Sequence, residues 1–346
     1  MITAYLDEFA RACDTRLTAL LLGRERRLAA MPVDLARFHR HLRDYVLRGG
    51  KRLRGALCTI AHEGFGGRPS DVLDAAMGLE LTHAWLLAYD DVMDRDETRR
   101  GGPALHLAAA REAKDDHRGL SLTLVLGGLL QSYAAQCVAS GIFPAERELR
   151  ALRLLFDALE DTNLGQGLDV LAPLGPPLAA EGVQKIEQLK TGRYTFELPL
   201  AVGAVLAGAS QSQVDGLQAY AGPLGEAFQL ADDLQGAFAD PAITGKPAGG
   251  DLREGKQTLL VALAWERALE KDRAVLAAGL GRRDLSDGDV AHLRAILEST
   301  GARTETQNRV RSRVDAAVAA LGRTSLNKEA QIRLAGIADL VLARAA

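Results

Sequence analysis

The feature that most constrains the fold is a long segment, residues 71–94, whose apolar side chains fall on every face of a helix. A helix that is apolar all round must be buried at the centre of a large structure. Ser70 precedes the segment and is predicted to cap it. A second segment, residues 217–235, has the same pattern, and Gly222-Pro223 is predicted to kink or restart it. The sequence therefore predicts two central helices.

The rest of the chain also favours helices. Apolar residues make up 47% of it but aromatic residues only 5%, and Ala and Leu predominate. Ala and Leu are strong helix formers, whereas strands draw on β-branched and aromatic residues. Gly- and Pro-rich breaks separate roughly ten helical candidates, and no alternating pattern indicates a strand. We predict an all-α fold: a single domain over residues 1–346, a large helical bundle around a central cavity.

Charge and cysteine usage indicate the compartment and exclude one class of partner. The formal net charge is −3 and the cations are dispersed among acids, which argues against a nucleic-acid partner. Cys13, Cys58 and Cys137 are scattered and show no CxxC spacing. They are interpreted as buried or incidental thiols of a reducing cytoplasm rather than as disulfides or zinc ligands.

One stretch, residues 119–143, is long enough to span a bilayer and carries no charge. Several Ser, Thr and Gln side chains and a Gly pair interrupt its apolar pattern. A core helix of a helical protein is the interpretation that fits, and no transmembrane segment is predicted. The first residues carry acids and have no apolar run, so no signal peptide is expected.

Both predicted central helices end in acidic residues. Asp90 and Asp94 are four residues apart, so they share one helix face, and they lie where the helix dipole is already negative. Such carboxylates are unfavourable unless a cation binds, and hard carboxylate oxygens suit Mg²⁺. A solvated helix end would explain one such pair, but Asp232 and Asp233 end the second helix in the same way. The repetition favours metal binding.

Cations next to glycines complete the pattern. The stretch Gly49-Gly50-Lys51-Arg52-Leu53-Arg54 places three cations after a flexible pair, suited to gripping a diphosphate. Arg99-Arg100-Gly101 follows the first acids closely, and Lys190, Lys246 and Lys256 lie near other Gly or loop signals. Acids and loop-borne cations together predict a site for Mg²⁺ and diphosphate.

These elements resemble those of the trans-isoprenyl diphosphate synthases, over nearly the whole chain from about Tyr45. Seven elements match in the family's order, and this order makes the resemblance specific. They are Gly49–Arg54, Glu80-Leu81-Thr82-His83 leading into Asp90–Asp94 and Arg99-Arg100-Gly101, Gly165–Asp169, Lys190-Thr191-Gly192, Phe228–Asp233, Gly245-Lys246, and Asp251–Lys256.

The resemblance implies an all-α isoprenoid synthase fold and a reaction. Isopentenyl diphosphate would be joined to an allylic diphosphate (dimethylallyl, geranyl or farnesyl) with the help of Mg²⁺, in a cytoplasmic homodimer. It also implies residue roles. The metal ligands would come from Asp90, Asp91, Asp94, Asp232 and Asp233. The allylic diphosphate would be contacted by Arg99, Lys190, Lys246 and Lys256. Isopentenyl diphosphate would be bound by Lys51, Arg54, His83 and Arg100, and the reacting carbons would be faced by Thr191 and Gln229.

Product length is expected to depend on Trp85, five positions before Asp90, with Leu86 beside it. In the resembled family a bulky residue there closes the tunnel for the growing chain. Products of fifteen to twenty carbons are implied, with geranylgeranyl diphosphate favoured and farnesyl diphosphate close behind. Ordinary core packing would equally explain a Trp on a buried helix.

The sequence departs from the family pattern at four positions: Gly55, Tyr89, Gly128 and Gly236. Gly236 stands where the second acidic motif often has its third Asp. Two alternatives stay open. A class I terpene cyclase would need no second diphosphate site, which the cations Lys51, Arg54 and Arg100 argue against. A non-catalytic subunit of a heteromeric synthase usually loses its acids, and both motifs here keep their leading pairs.

Overall fold

The computed structural model describes residues 2–172, 177–239 and 249–345. Within these ranges the chain forms sixteen α-helices, one π-helix and one pair of two-residue antiparallel strands. The α-helices are α1 (Ile2–Leu28), α2 (Ala36–Leu47), α3 (Leu53–Gly64), α4 (Pro69–Met93), α5 (Leu105–Ala113), α6 (Asp116–Val138), α7 (Ala145–Leu171), α8 (Ala180–Glu187), α9 (Leu198–Ala207), α10 (Gln211–Phe238), α11 (Gly250–Glu254), α12 (Leu259–Arg267), α13 (Glu270–Gly279), α14 (Asp287–Ser299), α15 (Ala302–Leu321) and α16 (Lys328–Arg344). The π-helix is Gln188–Glu197, and the strands are β1 (Thr98–Arg99) and β2 (Gly102–Pro103).

The all-α prediction is confirmed, but the prediction of roughly ten helices was too low. Several breaks carry no Gly or Pro signal. Between α12 and α13, for example, Ala268 and Leu269 are simply extended, with ψ of 146° and 160°. Such breaks come from packing, which residue type alone does not reveal.

The contacts divide the chain into two compact units. The first comprises the chain up to Leu154 together with Pro199–Ser210 and Leu326–Ala330. The second comprises Leu155–Leu198, Gln211–Ser325 and the chain from Gln331. The single domain over residues 1–346 stays a prediction.

In the first unit α4 is the central helix, and it packs against α3, α5 and α6. Its buried side chains, which include Val72, Leu79, Leu81 and Trp85, face all directions, as predicted. Its start differs from the prediction. The helix begins at Pro69 because proline is favoured in the first helical position, and Ser70 lies inside the helix with its hydroxyl bonded to Asp71.

Helix α6 is the one described helix long and apolar enough to cross a membrane by length and composition, and 44% of its most apolar window is buried. It packs against α4 and α5, where Leu126 and Leu130 are fully buried. Leu124 and Val125 are 54% and 53% exposed. One face is therefore a core face, and another is exposed.

In the second unit α10 is the central helix, and it packs against α15 and the π-helix. It begins at Gln211 and runs as one helix through Pro223 to Phe238. Of the two predicted effects of Gly222-Pro223, the restart was therefore wrong, and the kink stays a prediction. Gly222 has no Cβ to clash with the proline ring, which lets the helix continue. Asp232 and Asp233 consequently lie within the last two turns rather than at the helix end.

The three cysteines are free and buried, as predicted. Burial raises the pKa of the Cys137 thiol to about 11, and the pKa values of Cys13 and Cys58 are also raised chiefly by burial. Buried neutral thiols of this kind are unreactive.

His39 on α2 makes the stability of the protein depend on pH. Its side chain is 0% exposed, neither ring nitrogen makes a hydrogen bond, and the ring packs edge-on against Tyr133. Burial, with Arg43 nearby, lowers the pKa of His39 to about 4. Between that pKa and the ordinary value the unfolded chain binds the extra proton, so stability is present above about pH 6.5 and is lost as pH falls.

The unfolding free energy of the wild-type protein is expected to fall between pH 7 and pH 5. In His39→Leu this decrease should be smaller by about 2 kcal/mol, because the variant lacks the buried imidazole. Urea unfolding of both proteins at the two pH values measures this difference. His117→Leu, an exposed histidine on α6, is the control and should keep the wild-type dependence. Equal pH dependence of wild type and His39→Leu would contradict the assignment.

Candidate functional site

The turn between α2 and α3 carries the first group of cations. Gly49 and Gly50 have φ of 83° and 131°, the region that favours glycine, and Arg52 has φ of 45°. Arg52 is 3% exposed, and its guanidinium donates to Asp14 at 2.8 Å and to the carbonyl of Val46 at 2.7 Å. Arg52 therefore holds the turn in place, while Lys51 beside it is exposed.

Arg100 lies directly on this turn. Its Nη1 donates to the carbonyl of Gly49, and a Cβ on Gly50 would lie 3.0 Å from its guanidinium carbon. Gly50 therefore combines a positive φ, which favours glycine, with a close contact to the guanidinium of Arg100. Two segments about fifty residues apart in the sequence meet here.

His83 on α4 lies within this cationic group. Burial, and then the charges of Arg54, Arg100, Arg52 and Arg99, hold the pKa of His83 well below its ordinary value. The imidazole is neutral at pH 7. Of the four arginines, Arg52 is paired with Asp14 and Arg99 with Asp91 and Asp96. A concentration of guanidinium groups of this kind is suited to an anion with several negative charges, such as a diphosphate.

The first acidic motif divides into two kinds of carboxylate. Asp91 is 0% exposed and accepts hydrogen bonds from the hydroxyl of Tyr45 at 2.8 Å and from Nε of Arg99 at 2.6 Å. Burial raises the pKa of Asp91, although Arg99 and Tyr45 favour its charged form. Asp90 and Asp94 are partly exposed and one helical turn apart, with Asp94 just after the end of α4.

Arg99 is fixed by this arrangement. Besides Asp91 it contacts Asp96 at 2.7 Å, and it is the second residue of β1. Asp91 therefore orients Arg99, while Asp90 and Asp94 are partly exposed.

In the second unit Lys190, Thr191 and Gly192 lie on the π-helix, a form found frequently at functional sites. Nζ of Lys190 is 2.7 Å from Oδ2 of Asp169 on α7. A Cβ on Gly165 would lie 2.4 Å from the backbone nitrogen of Lys190, so this glycine lets α7 pack against the widened helix. The sequence predicted the residues but not the π-helix.

The second acidic motif lies on α10. The side chain of Asp232 is 55% exposed and contacts Nη2 of Arg344 at 2.6 Å. Asp233 is 4% exposed, and its Oδ1 accepts a hydrogen bond from Nε2 of Gln229 at 2.8 Å. Gln229, which was predicted to face the reacting carbons, therefore also holds Asp233.

A further carboxyl, Glu187 at the end of α8, lies next to Asp233. Burial raises the pKa of Glu187 to about 7. Burial, followed by the charge of Glu187, raises the pKa of Asp233 well above its ordinary value. Two neighbouring carboxyl groups that oppose each other's ionisation favour a shared proton over two negative charges, and a bound cation would favour loss of that proton.

The remaining predicted site residues fall into three groups. Nζ of Lys256 is 2.8 Å from Glu254 and 3.9 Å from Asp251, next to the left-handed Gly255. Lys246 lies outside the described residues. Trp85 is 6% exposed, and Leu86 is partly buried.

Trp85 packs between α4 and α6. Its ring lies edge-on to Tyr89 at 5.7 Å, and a Cβ on Gly127 would be 2.9 Å from it. The hydroxyl of Tyr89 donates to the carbonyl of Leu124 at 2.8 Å. The two aromatic rings are thus fixed against one section of α6.

The donor chemistry fits a hard divalent cation. Among the residues that the structure describes, no group of three or more His, Cys, Asp or Glu side chains could hold a metal ion alone. Mg²⁺ usually takes only one or two protein carboxylates and completes its shell with water and phosphate oxygens. The exposed Asp232 and the partly exposed Asp90 and Asp94 are carboxylates of this kind.

Sequence reasoning missed several residues of these sites. Glu187 and Arg344 carry no local signal, because they reach α10 only through the fold. Tyr45 and Asp14 likewise act through Asp91 and Arg52. Asp251 was part of a quoted element but was given no role.

Comparison with known proteins finds relatives that are all named as isoprenyl diphosphate synthases or polyprenyl synthetases. The family model described as "Polyprenyl synthetase" matches residues 36–297. A short chain isoprenyl diphosphate synthase of Methanothermobacter thermautotrophicus is 34% identical, over 90% of this chain and 91% of that protein. A geranylgeranyl diphosphate synthase of Mycobacterium tuberculosis is 31% identical, over 79% and 75%. The crystal structure of a geranylgeranyl pyrophosphate synthase of Corynebacterium glutamicum, complexed with isoprenyl diphosphate and magnesium, is 33% identical with a TM-score of 0.92, covering 98% of this chain and 99% of that one.

Proposed function

The chain belongs to the polyprenyl synthetase family, and we propose that it condenses isopentenyl diphosphate with allylic diphosphates. It is a short-chain trans-prenyltransferase, like relatives named as geranylgeranyl, farnesyl and short chain isoprenyl diphosphate synthases. Geranylgeranyl diphosphate is the favoured product, with farnesyl diphosphate close behind. Dimethylallyl, geranyl and farnesyl diphosphates are the allylic substrates that we propose.

The observation that carries this proposal is the cationic group on the Gly49-Gly50 turn. It brings Arg54, His83 and Arg100 together at this turn. A diphosphate that ionises with metal assistance needs the acidic motifs, so a separate cationic group indicates a second diphosphate that stays intact. A terpene cyclase has one diphosphate substrate and would not need it. The acids of both motifs also argue against a non-catalytic subunit.

We propose a separate role for each group of site residues. Lys51, Arg54, His83 and Arg100 bind isopentenyl diphosphate, and Arg99, Lys190, Lys246 and Lys256 contact the allylic diphosphate. Divalent metal ions, which we propose to be Mg²⁺ held by Asp90, Asp94 and Asp232, would neutralise charge on the leaving diphosphate. Asp91 keeps Arg99 in position, and Asp233 and Gln229 support each other on α10. Thr191 and Gln229 face the reacting carbons, where catalysis is largely positioning.

Magnesium as the metal is supported by the Corynebacterium relative, which was crystallised with it. A homodimer and a cytoplasmic location are proposed from the family resemblance. Size-exclusion chromatography with light scattering tests the dimer, since a dimer would have twice the 36.9 kDa of one chain.

Product analysis tests the function. Purified protein is incubated with labelled isopentenyl diphosphate and each allylic substrate in turn, with Mg²⁺ or with EDTA. A Mg²⁺-dependent prenyl diphosphate is the expected result. A hydrocarbon formed from farnesyl diphosphate alone would indicate a cyclase, and elongation only after addition of a partner protein would indicate a subunit.

Trp85→Ala is expected to lengthen the product by at least one five-carbon unit. Removal of the ring leaves space next to Gly127, where the growing chain would otherwise be stopped. Truncation of a buried Trp also lowers stability, by about 3–5 kcal/mol. Product length after incubation with farnesyl diphosphate measures the effect.

Trp265→Ala is the control, since Trp265 is the other tryptophan and lies in the second unit. It should leave product length unchanged. If Trp85→Ala folds and makes the wild-type product, Trp85 is a packing residue only.

A further inference from the structure

The turn between α1 and α2 exposes an apolar tip, residues 29–33, with the sequence Ala-Ala-Met-Pro-Val. All its residues are exposed, Met31 to 44% and Val33 to 76%. Within the part of the chain that the structure describes, Val33 is the most exposed large apolar side chain. Single exposed apolar residues are common, but a run of about four or more is unfavourable on a protein surface unless it serves a contact.

The helices on either side of the tip are held in place by two contacts. Nη1 of Arg43 on α2 is 2.5 Å from Oε2 of Glu25 on α1, so the two helices are joined to each other. Nη2 of Arg24 on α1 donates to Oε1 of Gln136 on α6 at 2.6 Å, and its guanidinium carbon lies 4.8 Å from the centre of the Tyr133 ring. The apolar tip is therefore carried by a fixed pair of helices.

The same helices are basic. Residues 24–43 contain six arginines and two acidic residues, a net charge of +4, whereas the whole chain has a net charge of −3. Three of the six arginines have ion-pair or hydrogen-bond partners. The other three, Arg26, Arg27 and Arg40, are exposed and have no ion-pair partner among the residues that the structure describes. Arg26 and Arg27 lie in the last turn of α1, directly before the tip.

An apolar tip with unpaired cations beside it matches the chemistry of a bilayer surface that carries anionic headgroups. Apolar side chains can enter the boundary between headgroups and acyl chains, while arginines neutralise the headgroups. The rest of the chain is net negative, so an anionic surface would attract this side of the first unit and repel the acidic remainder. Charge and apolar exposure thus favour the same orientation.

We propose that the apolar tip and its adjacent arginines dock the protein reversibly on an anionic lipid surface. The inference goes beyond the proposed function and does not depend on it, because none of these residues belongs to either diphosphate site. It also requires no membrane-spanning helix, since only the tip would enter the interface.

Co-sedimentation with lipid vesicles tests the proposal. The purified protein is mixed with vesicles of equal parts phosphatidylglycerol and phosphatidylcholine, or of phosphatidylcholine alone, at low ionic strength. The wild type is expected to bind the anionic vesicles at least about tenfold more strongly, because three unpaired arginines flank the tip. Added salt should weaken this binding, since it screens exposed charges.

Two double variants separate the apolar contribution from the charge. Met31→Ser with Val33→Ser removes the apolar side chains and keeps every charge. Arg26→Gln with Arg27→Gln removes two charges and keeps the tip. Each is expected to bind the anionic vesicles at least about fivefold more weakly than the wild type.

Matched controls change exposed residues elsewhere in the same unit. Ile142→Ser removes another exposed apolar side chain, and Arg11→Gln with Arg153→Gln removes two other exposed arginines. Both controls should bind the vesicles as the wild type does. Thermal unfolding without vesicles checks that every variant folds.

Equal binding of the wild type to both kinds of vesicle, or to neither, would overturn the proposal. Wild-type binding by the two double variants at the tip would overturn it too. Light scattering without vesicles covers the remaining alternative: if Met31→Ser with Val33→Ser changes the oligomeric state, the tip is an interface between copies of the chain and the proposal is wrong.

Discussion

Asp90→Asn is expected to lower kcat/KM about a thousandfold, equivalent to about 4 kcal/mol of transition-state stabilisation. The substitution keeps the size of the side chain but removes the charge that would hold Mg²⁺ against the leaving diphosphate. Because Asp94 shares the helix face, some metal affinity should persist, and the Mg²⁺ concentration for half-maximal rate should rise. Initial rates over a range of Mg²⁺ concentrations measure both effects.

Two variants make this result specific. Asp157→Asn changes an exposed acid of α7 in the same way and should retain wild-type kinetics. Asp91→Asn removes the buried partner of Arg99 and Tyr45, so it should impair stability and the KM of the allylic substrate rather than the Mg²⁺ requirement. Wild-type activity of Asp90→Asn would remove this residue from the metal site.

The fold was predictable where it depends on the distribution of apolar residues along a single helix. A helix that is apolar on every face has few possible positions, so α4 and α10 were found from sequence as central helices. Their limits were less accurate, because Pro69 replaced Ser70 as the start signal and Gly222 allowed α10 to continue through Pro223. Breaks between short helices, as at Ala268, follow from packing and leave no mark in composition.

The candidate site was predictable where one residue type suffices for the chemistry. Carboxylates that need a metal, and cations on a glycine turn, can be recognised from the amino-acid sequence alone. In the structure Arg54 and Arg100 lie close to each other. The division of labour between neighbours is not visible. Asp90 and Asp91 look alike in sequence, yet only the fold shows that Asp91 is buried against Arg99. Asp251 illustrates the same limit, since its proximity to Gly236 requires α11 to return to α10.

Arg100→Ala is expected to raise the KM for isopentenyl diphosphate about 10- to 100-fold, with a much smaller change in the KM of the allylic substrate. Charge-assisted hydrogen bonds to a diphosphate contribute about 1.5–3 kcal/mol each, and that interaction would be lost in ground state and transition state alike. Arg100 also packs on Gly49 and Gly50, so the turn that presents Lys51 and Arg54 would lose support. Steady-state kinetics with each substrate varied in turn separates the two KM values.

Arg100→Lys separates charge from geometry. Lysine keeps the charge but cannot reproduce the planar guanidinium that lies on the glycine pair and donates to the carbonyl of Gly49. An intermediate KM would show that both contribute, and a KM equal to that of Arg100→Ala would assign the effect to geometry. Arg40→Ala, at an exposed position of α2, controls for loss of a positive charge elsewhere in the same unit. An equal rise in the KM of both substrates would argue against a separate isopentenyl diphosphate site, and with it against the feature that distinguishes a prenyltransferase from a cyclase.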